Sequence, residues 1–272
     1  MPILSQIYVY PVKSLAGIQV ERWPVDKNGL RYDRKWMLVD EQGRFLSQRR
    51  LPRMALIKTR IADDRLILSA PGQDEITLPL HSDEGDDLEV EIWEDRCTAK
   101  TTNRLADDWF SRFLESSCRL VYHPDDQIRK VDPDYATEFD QIAFSDGFPF
   151  LVVSEASLMA LNQAMNLDLP MIRFRPNLVV ADCDSYAEDI WRQITINGIG
   201  FRLPKPCSRC SVPAIDPVTA LSDKEPLVTL ARLRKWRNKV YFGQNALHDA
   251  NGTLSVGNAI EIILTGESQP PL

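Results

Sequence analysis

Cys207 and Cys210 are the residues of this chain best suited to chemistry. They lie in the stretch Leu203 to Pro217, with Ser208 and Arg209 between them and Lys205 just before. Pro204, Pro206 and Pro213 punctuate the stretch, and Asp216-Pro217 closes it. Proline fixes φ and lacks a backbone donor, so the segment is expected to stay out of any long helix or central strand. A thiol held beside cations in a loop tends towards the thiolate, which is both nucleophile and metal ligand. The segment reads as a site before it reads as structure.

Four readings of the pair stand open. Half of a zinc knuckle is one, but a structural zinc ion takes four ligands. The other cysteines, Cys97, Cys118 and Cys183, and the histidines, His81, His123 and His248, are scattered. A thioredoxin-like dithiol is the second. That motif opens a helix in a βαβ unit, and Pro213 and Pro217 follow too closely for a clean helix. The third is a turn with two cysteines and no role. In the fourth, one cysteine ligates a metal-bearing cofactor, as soft sulfur suits, while nearby cations hold its anionic groups.

Other polar and cationic residues fall at strand ends and turns. Lys13-Ser14 follows Pro11, Arg34 precedes Trp36, and Arg173 and Arg175 precede Pro176-Asn177. Ser145-Asp146-Gly147 and Gly243-Gln244-Asn245 interrupt apolar runs. Arginine forks and donors around turns suit phosphate. Their convergence on one pocket is not visible in the sequence.

The elements that must position these residues are mostly strands. Ile7–Tyr10, Trp36–Asp40, Met54–Thr59, Arg65–Leu68, Ile76–Leu80 and Leu88–Trp93 are short, β-rich and closely spaced. That pattern predicts a barrel or sandwich-like domain. Asn103 caps a predicted helix whose apolar face is Leu105, Trp109, Phe110, Phe113 and Leu114. A boundary is expected near residue 117. Beyond it come a strand at Cys118–Tyr122, a polar loop at His123–Asp140, a helix capped by Ser154 and a strand at Leu178–Ala181. Asn197-Gly198 predicts a type I′ hairpin between Ile194–Ile196 and Ile199–Leu203. Thr229–Trp236 is expected to be a short basic helix, and Val240–Phe242 and Ile260–Leu264 close the sheet.

Composition narrows the class. The chain has 272 residues, a net charge of −7, 44% hydrophobic and 26% charged residues. These values are ordinary for a globular protein, and the acidic balance disfavours general nucleic-acid binding. No apolar run reaches the length of a membrane span, and no signal peptide or N-terminal anchor is expected. Five cysteines, an odd number, fit a reducing compartment such as the cytoplasm.

Several segments together resemble the MOSC family in its form with an N-terminal β-barrel domain, and in particular bacterial relatives of the mitochondrial amidoxime-reducing component. They are Tyr10–Ser14, Asp33–Trp36, Phe144–Phe150, Ser154–Ser157, Phe174–Asn177, Tyr186–Asp189, Pro206–Cys210, Asp216-Pro217, Phe242–Asn245 and Val256-Gly257. The resemblance spans roughly residues 5 to 266. It implies an α+β, mainly β fold: a β-barrel-like domain at 1–117, then a MOSC β-barrel domain with peripheral helices at 118–268. It implies molybdenum cofactor, with Cys210 as the metal ligand and catalytic residue. Lys13, Ser14, Arg34, Ser145, Asp146, Gly147, Arg175, Asn177, Arg209 and Asn245 are expected around the pterin and its phosphate. At family level it also carries pyridoxal phosphate binding.

The implied reaction is reduction of small N-hydroxylated compounds, with electrons from a separate ferredoxin- or flavoprotein-like partner. No cysteine follows Cys210 to hold an iron–sulfur cluster. The same resemblance implies two alternatives: a sulfur carrier with a persulfide on Cys210, and a protein that stores or delivers the cofactor. One departure stands out. Relatives carry two threonines before the Asp-Pro element, where this chain has Pro213-Ala214, so two hydroxyl donors are missing.

Overall fold

A computed structural model describes residues 1–82 and 84–271. The architecture is mainly β, with three α-helices among the described residues. A nine-stranded sheet dominates. Its order runs Ile18–Val20, Ile3–Val9, Leu178–Ala181, Phe150–Ser154, Lys239–His248, Ile199–Ser208, Trp191–Ile196 and Ile260–Thr265, with Lys235–Trp236 paired to Lys239–His248 at the side. The sheet rolls up on itself: Ile3 bridges Ala259, and the Ile260 N–H donates to Pro2 O at 2.9 Å. Such closure removes open edges. Inside lie Leu4, Ile7, Phe150, Leu178, Trp191, Ile194, Phe201 and Ala246.

Residues 36–122 build the second part. A four-stranded sheet joins Trp36–Val39, Arg119–Tyr122, Asp95–Thr101 and Asp87–Ile92, and a three-stranded meander joins Lys58–Ala62, Arg65–Ser69 and Ile76–Pro79. Strands cross residue 117 in both directions. Ile3–Val9 pairs with Leu178–Ala181 in the large sheet, while Arg119–Tyr122 pairs with Trp36–Val39 in the smaller one.

The helix Arg104–Leu114 covers that smaller sheet. Asn103 caps it by accepting from the Ala106 N–H. Ala106, Trp109, Phe110, Phe113 and Leu114 are buried, the spacing of one helical face. Each large side chain so buried contributes about 1.5–3 kcal/mol. Leu105, expected on that face, is 75% exposed because it falls outside the stripe.

Four further expectations are corrected. Residues 52–56 form a 3-10 turn that Pro52 initiates, so the strand begins only at Lys58. The polar stretch after His123 is not all loop, since Arg129–Lys130 pairs with Gln141–Ile142. The basic helix is Leu227–Leu233, and Lys235–Trp236 is a strand. Most consequentially, Pro204, Pro206 and Cys207 lie inside a ten-residue strand, Ile199–Ser208, within the sheet. Irregularities explain it: Arg202 faces Leu247 but Lys205 faces Asn245, and Pro206 faces Gln244 but Ser208 faces Tyr241. Pro204 occupies the first irregularity, where no ladder hydrogen bond is demanded of it.

His123 is fully buried, and both ring nitrogens lack a protein partner. Burial pushes its pKa down to about 4, and the nearby Lys35 and Arg129 charges act in the same direction. The unfolded chain then binds the extra proton between its ordinary value of 6.5 and about 4. Stability therefore falls as pH falls through that window, by about 3 kcal/mol at most from this group. His123→Phe should flatten the dependence between pH 6.5 and pH 4 in urea unfolding series run in parallel with the wild type.

Candidate functional site

The two parts meet at a cleft of about 900 Å³, part of it open to solvent. All eleven sequence-predicted positions line it: Lys13, Ser14, Arg34, Ser145, Asp146, Gly147, Arg175, Asn177, Arg209, Cys210 and Asn245. Ser14, Arg34 and Arg175 share an uncommon backbone state, with φ of 67°, 51° and 55°. Non-glycine residues held there cost of order 1–3 kcal/mol each and cluster at functional positions.

The cations are held by different devices. Lys13 is buried, and its Nζ donates to Phe144 O at 2.7 Å and Asp146 Oδ1 at 2.5 Å. Burial pushes the Lys13 ammonium below its ordinary pKa, with Asp146 opposing. Loss of water around Asp146 would raise its carboxyl. The Lys13 charge and hydrogen bond, the Trp93 indole N–H at 2.9 Å and the Arg49 charge outweigh this, and the carboxyl is held well below the carboxylate range.

Tyr10 carries two guanidinium groups on one ring. Arg34 Cζ lies 4.4 Å and Arg175 Cζ 4.2 Å from its centroid. Arg34 Nη1 also donates to Asp33 and, at 3.1 Å, to Asn177 Oδ1. Burial raises the Asp33 carboxyl; the Arg34 charge and hydrogen bond oppose, with help from the Tyr10 N–H. Arg175 Nη1 donates to Leu15 O at 2.7 Å. Burial lowers the Arg175 pKa to about 10, which leaves it charged at neutral pH. Asn177 ties the strands together: its Oδ1 accepts from the Leu151 N–H at 3.2 Å, and its Nδ2 donates to Tyr8 O at 3.3 Å.

The cysteine strand supplies the third wall. Arg209 Nη1 lies 3.1 Å from Cys207 Sγ, and Nη2 donates to Phe174 O at 2.7 Å. Its Nε is buried without a partner. Cys210, beyond the strand end, is exposed at the cleft. Lys205 points elsewhere, onto the Tyr135 ring at 4.1 Å, so it does not flank the thiols in space. Among the described residues no group of three or more His, Cys, Asp or Glu could hold a metal ion, which leaves the zinc reading without ligands. Asn245 reaches the cleft because the strand Lys239–His248 bends at Gly243. That residue has φ +79°, and a Cβ there would meet Val152 O at 2.8 Å.

The sequence missed part of the lining. Phe45, Ser47, Arg49, Phe148, Phe174 and Val212 also face the cleft, beside Cys207, which the sequence did single out. Arg49 stacks over Trp93 at 4.0 Å. It lies in the turn between the Trp36–Val39 strand and the 3-10 element Pro52–Leu56, where no local motif marks it. With it, five cations line the cleft against one carboxylate, Asp146. The acidic chain therefore carries a strongly positive recess with one exposed thiol, an arrangement fitted to an anionic, thiol-ligated group.

A closed β sheet joined to a smaller β domain, with a cationic cleft between them, defines the class. Residues 1–117 match the MOSC N-terminal beta barrel domain and residues 140–261 the MOSC domain. The chain is 33% identical to mitochondrial amidoxime-reducing component 1 of Mus musculus, over 96% of this chain and 82% of the relative. To the Homo sapiens protein of that name it is 32% identical, with the same coverage. It is also 31% identical to molybdenum cofactor sulfurase of Danio rerio, over 94% of this chain but 34% of that protein. The chain belongs to the MOSC family.

The Tyr10 stack gives a test. Tyr10 is fully buried and its hydroxyl has no partner, so Tyr10→Phe should leave stability within about 1 kcal/mol of wild type or improve it. Tyr10→Leu removes both cation–ring contacts and should cost roughly 1–4 kcal/mol. Urea unfolding of the two variants distinguishes them.

Proposed function

We propose that this protein is a molybdenum-cofactor-dependent reductase of small N-hydroxylated compounds such as amidoximes and hydroxylamines. One observation carries the reading: an exposed Cys210 thiol at the edge of a cleft whose cations outnumber its carboxylates. The residues fit the cofactor chemically. Lys13, Arg34, Arg175 and Arg209 suit its phosphate, and the unpartnered Arg209 Nε is a buried donor awaiting an acceptor. Ser14, Ser145, Gly147, Asn177 and Asn245 suit the pterin, and Cys210 sulfur suits the metal.

When bound, the cofactor supplies two-electron and oxygen-atom chemistry, while the protein contributes binding and orientation. In the net reaction the N–O bond breaks, nitrogen gains two electrons and one proton, and the hydroxyl leaves with a second proton as water. Both electrons come from a separate ferredoxin- or flavoprotein-like protein, held by a weak, transient interface. The relatives named as amidoxime-reducing components support this reading. Five free thiols suit a reducing compartment, the cytoplasm. Among the described residues no helix is long and apolar enough to cross a membrane.

The relatives named as molybdenum cofactor sulfurases, together with the exposure of Cys210, favour a second reading: a persulfide carrier. Metal analysis of protein from a cofactor-competent host separates the two. Stoichiometric molybdenum supports the reductase. A sulfane sulfur on Cys210 with no metal supports the carrier. Molybdenum without turnover would make the protein a cofactor store.

Cys210→Ser should leave folding intact, since the residue is exposed, yet remove molybdenum and amidoxime reduction with an artificial reductant. Cys207→Ser keeps an acceptor for Arg209 and should retain most of the activity. Equal loss in both variants would favour a dithiol mechanism. The pure protein should not turn over with NADH alone.

A further inference from the structure

Behind the cleft lies a smaller cavity that the proposed function does not use. It shares Arg175 and Val212 with the cleft and is otherwise lined mainly by apolar groups, among them Ala55, Ile172 and Ile215. The exceptions are Gln48 and Arg173. Arg173 is 7% exposed, yet its guanidinium has little to hold it. Nη2 lies 3.5 Å from Asp216 Oδ2, and Nε is buried without a partner. Asp216 already accepts from the Val218 and Thr219 N–H groups at 2.8 and 2.9 Å, and its side chain is 40% exposed. A buried cation with so weak a partner is costly. It is rational where a ligand completes it.

The wall beside it explains why the cavity is open. Residues Val212–Ala214 form a 3-10 turn in which Pro213 and Ala214 are buried and offer no side-chain donor. Arg173 is therefore the strong donor on that side, and Gln48 spends its amide nitrogen on Ser14 O at 2.7 Å. Anionic oxygen is the chemistry that Arg173 recognises, since a guanidinium binds carboxylate or phosphate through paired N–H groups.

We propose that Arg173 forms an oxyanion subsite adjoining the cleft. It takes the carboxylate or phosphate of a ligand whose other end lies past Arg175 and Val212, beside Cys210. Resting on the reductase reading, this narrows the substrates to N-hydroxylated compounds that carry an anionic group.

The binding arm of the test uses inorganic phosphate on the purified full chain, by calorimetry and by crystals grown with it. Phosphate should occupy two places, one in the cleft and one on Arg173. Arg173→Met should lose the second at least tenfold, as expected for one charge-assisted hydrogen bond, while Arg173→Lys restores part of it. If Arg173→Met fails to fold, the lysine variant still decides, because one ammonium in place of the guanidinium fork must weaken the site. Phosphate in the cleft alone, or equal affinity in all three proteins, overturns the proposal, as does an adventitious ion only.

The source arm uses cofactor-loaded protein and compares N-hydroxybenzamidine with its carboxylate-bearing analogue. A substrate subsite predicts a lower KM for the carboxylate, lost in Arg173→Met with kcat little changed. Phosphate binding without that preference keeps the oxyanion chemistry but overturns its assignment to substrate. Absence of any reduction defeats the reductase reading, and the phosphate arm still decides the subsite.

Discussion

The structure turns on the problem of keeping like charges together without neutralising them. Two unit charges 8 Å apart repel by roughly 2 kcal/mol in a medium of dielectric 20, and here five cations share one recess. A carboxylate beside each would remove the repulsion and also the attraction for an anion. The fold instead uses partners that leave most of the charge unspent. Tyr10 offers a ring face to Arg34 and Arg175, and carbonyl oxygens of Leu15, Phe144 and Phe174 accept from Arg175, Lys13 and Arg209. Asp33 and Asp146 supply the ionic support, the first buried behind Arg34 and the second at the rim.

This demand explains the local backbone. Ser14, Arg34 and Arg175 hold left-handed conformations that ordinary side chains avoid, and Gly243 holds another inside a strand. Each lies where the chain must turn sharply to deliver a polar group into the recess. The register shifts between Ile199–Ser208 and Lys239–His248 serve the same end. They interrupt the regular pairing of the two strands, from which Arg209 and Asn245 both reach the cleft.

Much of this was legible before the coordinates. The strand-rich pattern, the Asn103 and Ser154 caps and the Asn197-Gly198 hairpin follow from local chemistry, and the structure holds all of them. Prolines misled, because the rule that bars them from central strands carries an exception for irregular pairing, and Pro204 falls in such a place. Leu105 misled because one residue's offset on a helix is 100° of rotation. The recess was legible as a set of residue types at strand ends, yet its convergence depends on contacts across the chain. Arg175 meets Leu15 and Lys13 meets Phe144 only after the sheets close. The role of Tyr10 in steadying Arg34 and Arg175, and the place of Arg49 in the lining, rest on contacts that no local motif announces.

The first strand of the large sheet has a consequence for biosynthesis. Ser5 Oγ bonds Val179 O, a span of 174 residues. At a synthesis rate of 5–20 residues per second, roughly 10–35 s separate the two segments leaving the ribosome. Until then an apolar strand, Ile3–Val9, has no partner on one side and the recess has no far wall. Pairing so distant in sequence is also slow once both ends exist, since loop closure precedes its reward. The recess, whose lining runs to Asn245, is complete only after most of the polypeptide has been made, and anything destined for it arrives late.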